Sequence, residues 1–187
     1  MALFDSLKNQ AREAVRGAVQ SMGNKTVDIV FPSVPDSFEG FIALPQAAMS
    51  TPFQTAAMTV VALCVYPQSP ETSIRMLNFL RGPRPLNGQE ISFIRDRFRA
   101  KDYVPRSYFS GATPQNDYTP QQPYTVRVIA DNNDFLTQGF AKLFIPSGGA
   151  DSPRPIQLRE AKDGKWYLWE QFLLTDIRQP ESTNPWA

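Results

Sequence analysis

The chain has 187 residues, of which 42% are hydrophobic, 20% charged and 12% aromatic, enough apolar content for one buried core and too little charge for a disordered chain. Its formal net charge of +1 gives no global pull towards nucleic acid or an acidic partner. Histidine is absent and Cys64 is the single cysteine, which excludes a Ser-His-Asp or Cys-His nucleophile pair, a Cys/His zinc site and an intrachain disulfide.

Taken in chain order, Leu3, Phe4, Leu7, Ala11, Ala14, Val15, Ala18, Val19 and Met22 recur at spacings of three and four, so the sequence predicts an amphipathic helix over residues 3–22. Its polar face mixes both charge signs, unlike a strongly basic membrane-surface helix. Packing on its own domain or a sister chain is therefore the first reading, with a membrane surface and a free arm as alternatives. No apolar run approaches the length of a bilayer span, and charges interrupt the N-terminus, so the expected location is the cytoplasm.

Val27–Phe31 reads as a short strand ended by Pro32 and Pro35, and Asp36 with Glu39 as a capping box. Thr51-Pro52 opens a helix that is apolar nearly all round as far as Tyr66, the expected buried centre of the domain. Cys64 on it is expected to be an inert small hydrophobe. Ser69-Pro70 starts a second helix with Ile74, Leu77 and Leu80 inward, stopped by Gly82. Asn87 and Glu90 cap a third, with Ile91, Ile94 and Phe98 inward. Residues 102–123 form a long loop rich in proline and tyrosine, either functional or packed down by its own aromatics.

Strands are predicted at 124–130, 139–145, 155–160 and 165–172. Asp163-Gly164 reads as a tight type I′ turn joining the last two. In the last strand Trp166, Leu168 and Phe172 are expected on one face, shared by Glu170, with Tyr167 and Trp169 on the other. The fold class is α+β, an N-terminal amphipathic helix and three helices on a curved antiparallel sheet of four to five strands. The chain divides into an arm at 1–24, a domain at 25–178 and a tail at 179–187 held by Trp186.

Three groups of residues are candidates for function. Ser147, Gly148, Gly149, Asp151 and Arg154 form a glycine-rich loop closing on an arginine, able to hold a phosphate or carboxylate if its N–H groups are free; it lacks the Gly-Lys-Ser/Thr of a nucleotide loop. The basic run around the third helix includes Arg95 and Arg99 near its C-terminus, where the helix dipole alone favours them. It lacks the interleaved aromatics of a nucleic-acid surface. Glu170, among aromatics, is a candidate ligand-binding carboxylate. No catalytic residue, cofactor or metal ligand is assigned.

The blocks FLRGPRPLNGQE, YVPRSYFSGATPQNDYTPQQPY, AKLFIPSGGADSPRPIQLR and WYLWEQFLLTDIRQP, with the terminal NPWA, resemble an uncharacterised family of small bacterial proteins known as a domain of unknown function. The resemblance implies no activity. In architecture, helices followed by a curved aromatic meander look like the NTF2-like cone, which implies a possible pocket and no particular chemistry. The expected function is a non-catalytic binding or protein-interaction module that self-associates or binds a protein partner, with Leu3, Phe4, Leu7, Arg95 and Arg99 as its interaction surface. The alternatives are a small-molecule pocket, or a histidine-independent enzyme site, between the sheet and the central helix, and a membrane-surface protein.

Overall fold

The computed structural model describes residues 25–131 and 136–187. The predicted helix at 3–22, with Leu3, Phe4 and Leu7, lies outside the described residues. The rest is an α+β domain in which four α-helices precede nearly all of the sheet: β1 (Thr26–Phe31), α1 (Phe38–Ile42), α2 (Pro52–Val65), α3 (Pro70–Arg81) and α4 (Gly88–Arg97), then β2 (Tyr124–Ala130), β3 (Leu136–Thr137), β4 (Phe140–Ile145), β5 (Arg154–Glu160) and β6 (Trp166–Gln171).

Local sequence explains the helix starts. The Thr51 hydroxyl accepts from the Gln54 N–H while the Gln54 amide accepts from the Thr51 N–H, a closed capping box with Pro52 at the first helical position. Asn87 and Glu90 form the same reciprocal pair at α4. The start of α1 differs from expectation by one residue: Ser37, in extended backbone, caps it by accepting from the Gly40 N–H at 3.2 Å, in place of Asp36.

α2 is the centre of the domain, and 12 of its 14 residues are buried. Its hydroxyls are satisfied internally, Thr55 donating to the Trp166 carbonyl at 2.6 Å and Thr59 to the Thr55 carbonyl at 2.8 Å. Cys64 is only partly covered as a residue, yet desolvation of its sulfur pushes the thiol up to about 12. The folded chain should therefore resist a thiol-disulfide reagent at pH 8 and react once unfolded. Equally rapid labelling of the native protein would contradict this packing.

The sheet is antiparallel in the order β1-β2-β4-β5-β6, with the two-residue β3 on β4. β3 was not expected, since two residues carry too little alternation to read. Between β5 and β6, the Ala161 N–H donates to the Lys165 carbonyl at 2.9 Å and the Gly164 N–H to the Ala161 carbonyl at 3.0 Å. Gly164 has φ +81 and Asp163 is not left-handed, so the expected type I′ turn is instead a three-residue loop ending in a left-handed glycine. The Asp163 carboxylate accepts from the Lys165 N–H at 2.9 Å, which favours this form.

The sheet curls around α2. Gln46 donates from Nε2 to the Val30 carbonyl on edge strand β1, and three residues on the Met49 carbonyl accepts from the Trp166 N–H on the opposite edge strand, β6. The short segment 46–49 thus ties one edge of the sheet to the other, and α2 lies against β1, β2, β4, β5 and β6. The interior this encloses is filled: Phe53, Met58, Leu143, Leu158 and Trp166 are each no more than 1% exposed within one continuous core. Packed side chains thus occupy the place where a pocket between sheet and central helix was an alternative.

The long loop 102–123 is packed down by its tyrosines. Tyr108 donates to the Leu173 carbonyl and Tyr118 to the Arg178 carbonyl, each at 2.6 Å, while Tyr103 stacks on Tyr118 at 5.4 Å. The tail is held by Glu181, which accepts from Gln115, and by Ser182, which donates to Asp117. Trp186 is not its anchor, being 91% exposed.

Candidate functional site

The glycine-rich loop directs its donors inward. The Gly148 N–H donates to the Ser107 carbonyl at 2.9 Å, the Gly149 N–H to the Ser147 hydroxyl at 3.1 Å, and Ser147 in turn to the Ser107 hydroxyl at 2.7 Å. Arg154 donates to the carbonyls of Thr175, Asp176 and Ser152, and Asp151 pairs with Arg178. The groups that an anion would need already have protein partners. The glycines answer to packing: a Cβ on Gly148 would lie 1.9 Å from the Ala112 carbonyl oxygen, and one on Gly149 2.1 Å from the Tyr118 hydroxyl.

Arg95 and Arg99 are exposed at the end of α4, where Arg99 reaches Asp96 at 3.1 Å and Arg95 lies 3.9 Å from the same carboxylate. These are local surface pairs. Glu170 lies apart from both groups, opposite Gln157 in the β5–β6 ladder.

A β-bulge decides what stands around Glu170. Leu158 pairs with Leu168 but the neighbouring Gln157 pairs with Glu170, leaving Trp169 without a partner. Alternation along β6 therefore breaks at Trp169. Trp166 and Leu168 point into the core, whereas Glu170, paired with Gln157, leaves it and is exposed at the open edge of the sheet, within electrostatic reach of Arg81. The expectation that Glu170 shares the face of Trp166 and Leu168 is corrected by this extra residue, and Phe172 beyond it is 48% exposed.

The displaced Trp169 is surrounded by cations. The Arg84 guanidinium lies 4.3 Å and that of Arg159 4.9 Å from its ring, and Phe140 meets it edge-on at 5.3 Å. Beside it, the side chain of Arg81 is only 5% exposed and is fully engaged. Its guanidinium donates to Glu90 at 2.9 Å, to the Arg84 carbonyl at 2.9 Å and to the Trp169 carbonyl at 3.4 Å. Desolvation lowers its pKa, and the Glu90 carboxylate opposes that shift.

Arg81 and Leu168 border both of two hollows that lie along β6. One, of about 390 Å³, is walled by Leu77, Leu86, Phe93, Ile94, Leu168 and Phe172, with Glu90 and Glu170 among its polar groups. The other, of about 540 Å³, is bounded by Arg84, Arg159, Lys162, Tyr167 and Trp169 under the α3–α4 link. That link is held close by Gly82, with φ +57, where a Cβ would stand 2.2 Å from the Tyr167 ring. Tyr167 donates to Asp163 at 2.7 Å, and desolvation with that hydrogen bond pushes it up to about 12. The hydroxyl therefore stays protonated at neutral pH, so it offers an environment for binding and no base.

Sequence reading missed both hollows. Phe93 carried a signal, a large aromatic off the Ile91, Ile94 and Phe98 stripe of α4, and it is 45% exposed. Trp169 carried none, because its displacement depends on register.

Among the described residues no helix is long and apolar enough to cross a membrane, and no group of three or more Cys, Asp or Glu side chains is placed to hold a metal. No curated protein and no solved structure matches the chain, and the comparisons give the expected NTF2-like likeness no support. A family does match, over residues 33–181, a span that begins just after β1 and takes in all four helices, the bulged strand and both hollows, and the chain belongs to that family, described as a domain of unknown function (DUF6935).

Proposed function

We propose that this chain is a non-catalytic interaction module that docks a segment of a partner protein in the groove between α3, α4 and β6. The observation that carries the reading is the pairing of apolar walls, including the half-exposed Phe93 and Phe172, with the exposed Glu170 carboxylate, which has no ion pair among the described residues. Charge complementarity sets the occupant: a large aliphatic side chain flanked by arginine or lysine. The open groove suits a side chain presented by a partner better than a small molecule, which needs most of its surface enclosed. A single cysteine without a disulfide is in keeping with work in the cytoplasm.

The test compares the blocked peptides Ac-Arg-Leu-Arg-NH2 and Ac-Glu-Leu-Glu-NH2 by amide chemical shifts. The basic peptide should move the resonances of Phe93, Ile94 and Phe172, and Glu170→Lys should reverse the preference by about tenfold in affinity, the equivalent of one close charge pair. Equal responses to both peptides, or a preference unmoved by Glu170→Lys, would remove the reading.

A further inference from the structure

The second hollow has the opposite character. Its lining carries Arg81, Arg84, Arg159 and Lys162 against Glu160 and Asp163, four cations to two acids. The acids do not neutralise the arginines over the indole. Asp163 accepts from the Lys165 N–H and the Tyr167 hydroxyl, and no ion pair among the described residues joins Glu160 to an arginine. Arg81 is committed to Glu90. Arg84 lies 4.0 Å from the same carboxylate oxygen and donates to the Trp169 carbonyl at 3.3 Å. Arg159 is exposed, has no ion pair among the described residues, and sits over two rings set edge-to-face, its guanidinium carbon 4.9 Å from the centre of the Trp169 ring and 4.8 Å from that of Phe140.

A guanidinium stacked on an aromatic ring keeps its N–H groups in its own plane, aimed away from the ring edges. It is then pre-organised for a bidentate oxyanion with little further loss of side-chain freedom. Arg84 and Arg159 lie against one and the same indole and line the same hollow, so one ligand bound there can meet both. The bulge is what turns that indole towards them.

We propose that Arg84 and Arg159, held against the indole of Trp169, form an oxyanion-binding site for a carboxylate or phosphate group, distinct from the groove across Arg81. Arg159 supplies the free bidentate face and Arg84 the second cation, while Trp169 and Phe140 fix the approach.

The test follows the three tryptophan indole N–H resonances of the full chain, with that of Trp169 identified by Trp169→Phe. Sodium glutarate, sodium phosphate and sodium chloride are titrated at constant ionic strength. The Trp169 signal should move saturably with an oxyanion and not with chloride, and the apparent affinity should fall about tenfold in Arg159→Gln, with Arg159→Lys falling between because it keeps charge but loses the fork. An unmoved Trp166 signal, from the core, reports that each variant is folded. Stronger binding of glutarate assigns the site to carboxylates, and stronger binding of phosphate to phosphoryl groups. A response that is linear and matched by chloride, or one that Arg159→Gln leaves unchanged, overturns the proposal.

Discussion

Replacing Arg81 by alanine should lower the stability of the fold by about 3 kcal/mol, at the lower end of what is lost when one partner of a buried ion pair is removed. Arg81 is 5% exposed while Glu90 retains 30%, so water relieves part of the stranded charge, which places the effect at that lower end. The substitution also takes the Arg81 donor from the Arg84 carbonyl and leaves the Trp169 carbonyl with Arg84 as its one remaining side-chain donor among the described residues. In a chain of this size the loss corresponds to a fall in melting temperature of about 6–12 °C. Arg81→Met, which keeps the buried stem but not the charge, should lose a similar amount unless Glu90 is changed to glutamine with it. A loss below about 1 kcal/mol for Arg81→Ala in denaturant titrations would mean that the border shared by the hollows is not held by this pair.

Gly148→Ala should be nearly as damaging, at about 2–3 kcal/mol, through overpacking. Its added methyl would meet the Ala112 carbonyl oxygen at 1.9 Å, and backbone cannot swing aside as a flexible side chain can. Relief would require breaking the hydrogen bond from the Gly148 N–H to the Ser107 carbonyl and shifting the loop that Tyr108 and Tyr118 pin down. Gly88→Ala is the matched control, since a Cβ there meets nothing within 4 Å. Equal thermal stability of the two variants would show that the glycine-rich loop is looser than its contacts indicate, and would return its N–H groups to consideration as ligand donors.

These two sites also mark the limit of what local sequence conveys. Thr51-Pro52 with Gln54, and Asn87 with Glu90, declare helix starts because each cap closes within four residues. The burial of α2 was readable from its nearly continuous apolar surface. At Gly148 and Gly149 the glycines were visible but their cause was not, since Ala112, Tyr118 and Ile177 come from distant stretches of chain. The Asp163-Gly164 hairpin was located correctly, while its turn type depended on how the strands paired across it.

The face assigned to Glu170 failed for a sharper reason. A single unpaired residue reverses every later position in a strand, and no composition signal precedes it. The stabilisation of that register lies in Arg81 and Arg84, which donate to the Trp169 carbonyl from more than eighty residues upstream. Both hollows follow from this one irregularity, which is why reading β6 as a regular strand directed attention to an interior that is in fact packed.

The central claim is that recognition belongs to the flanks of β6, and neither to the interior beneath α2 nor to the glycine-rich loop. One measurement tests it most directly: a map of backbone amide perturbations across the whole chain on adding the basic peptide and glutarate together. Changes should be confined to residues 81–94, to 159–163 and to 167–172, with 52–65 and 147–154 silent. Perturbations centred on 147–154 or on α2, with the flanks of β6 unmoved, would contradict it.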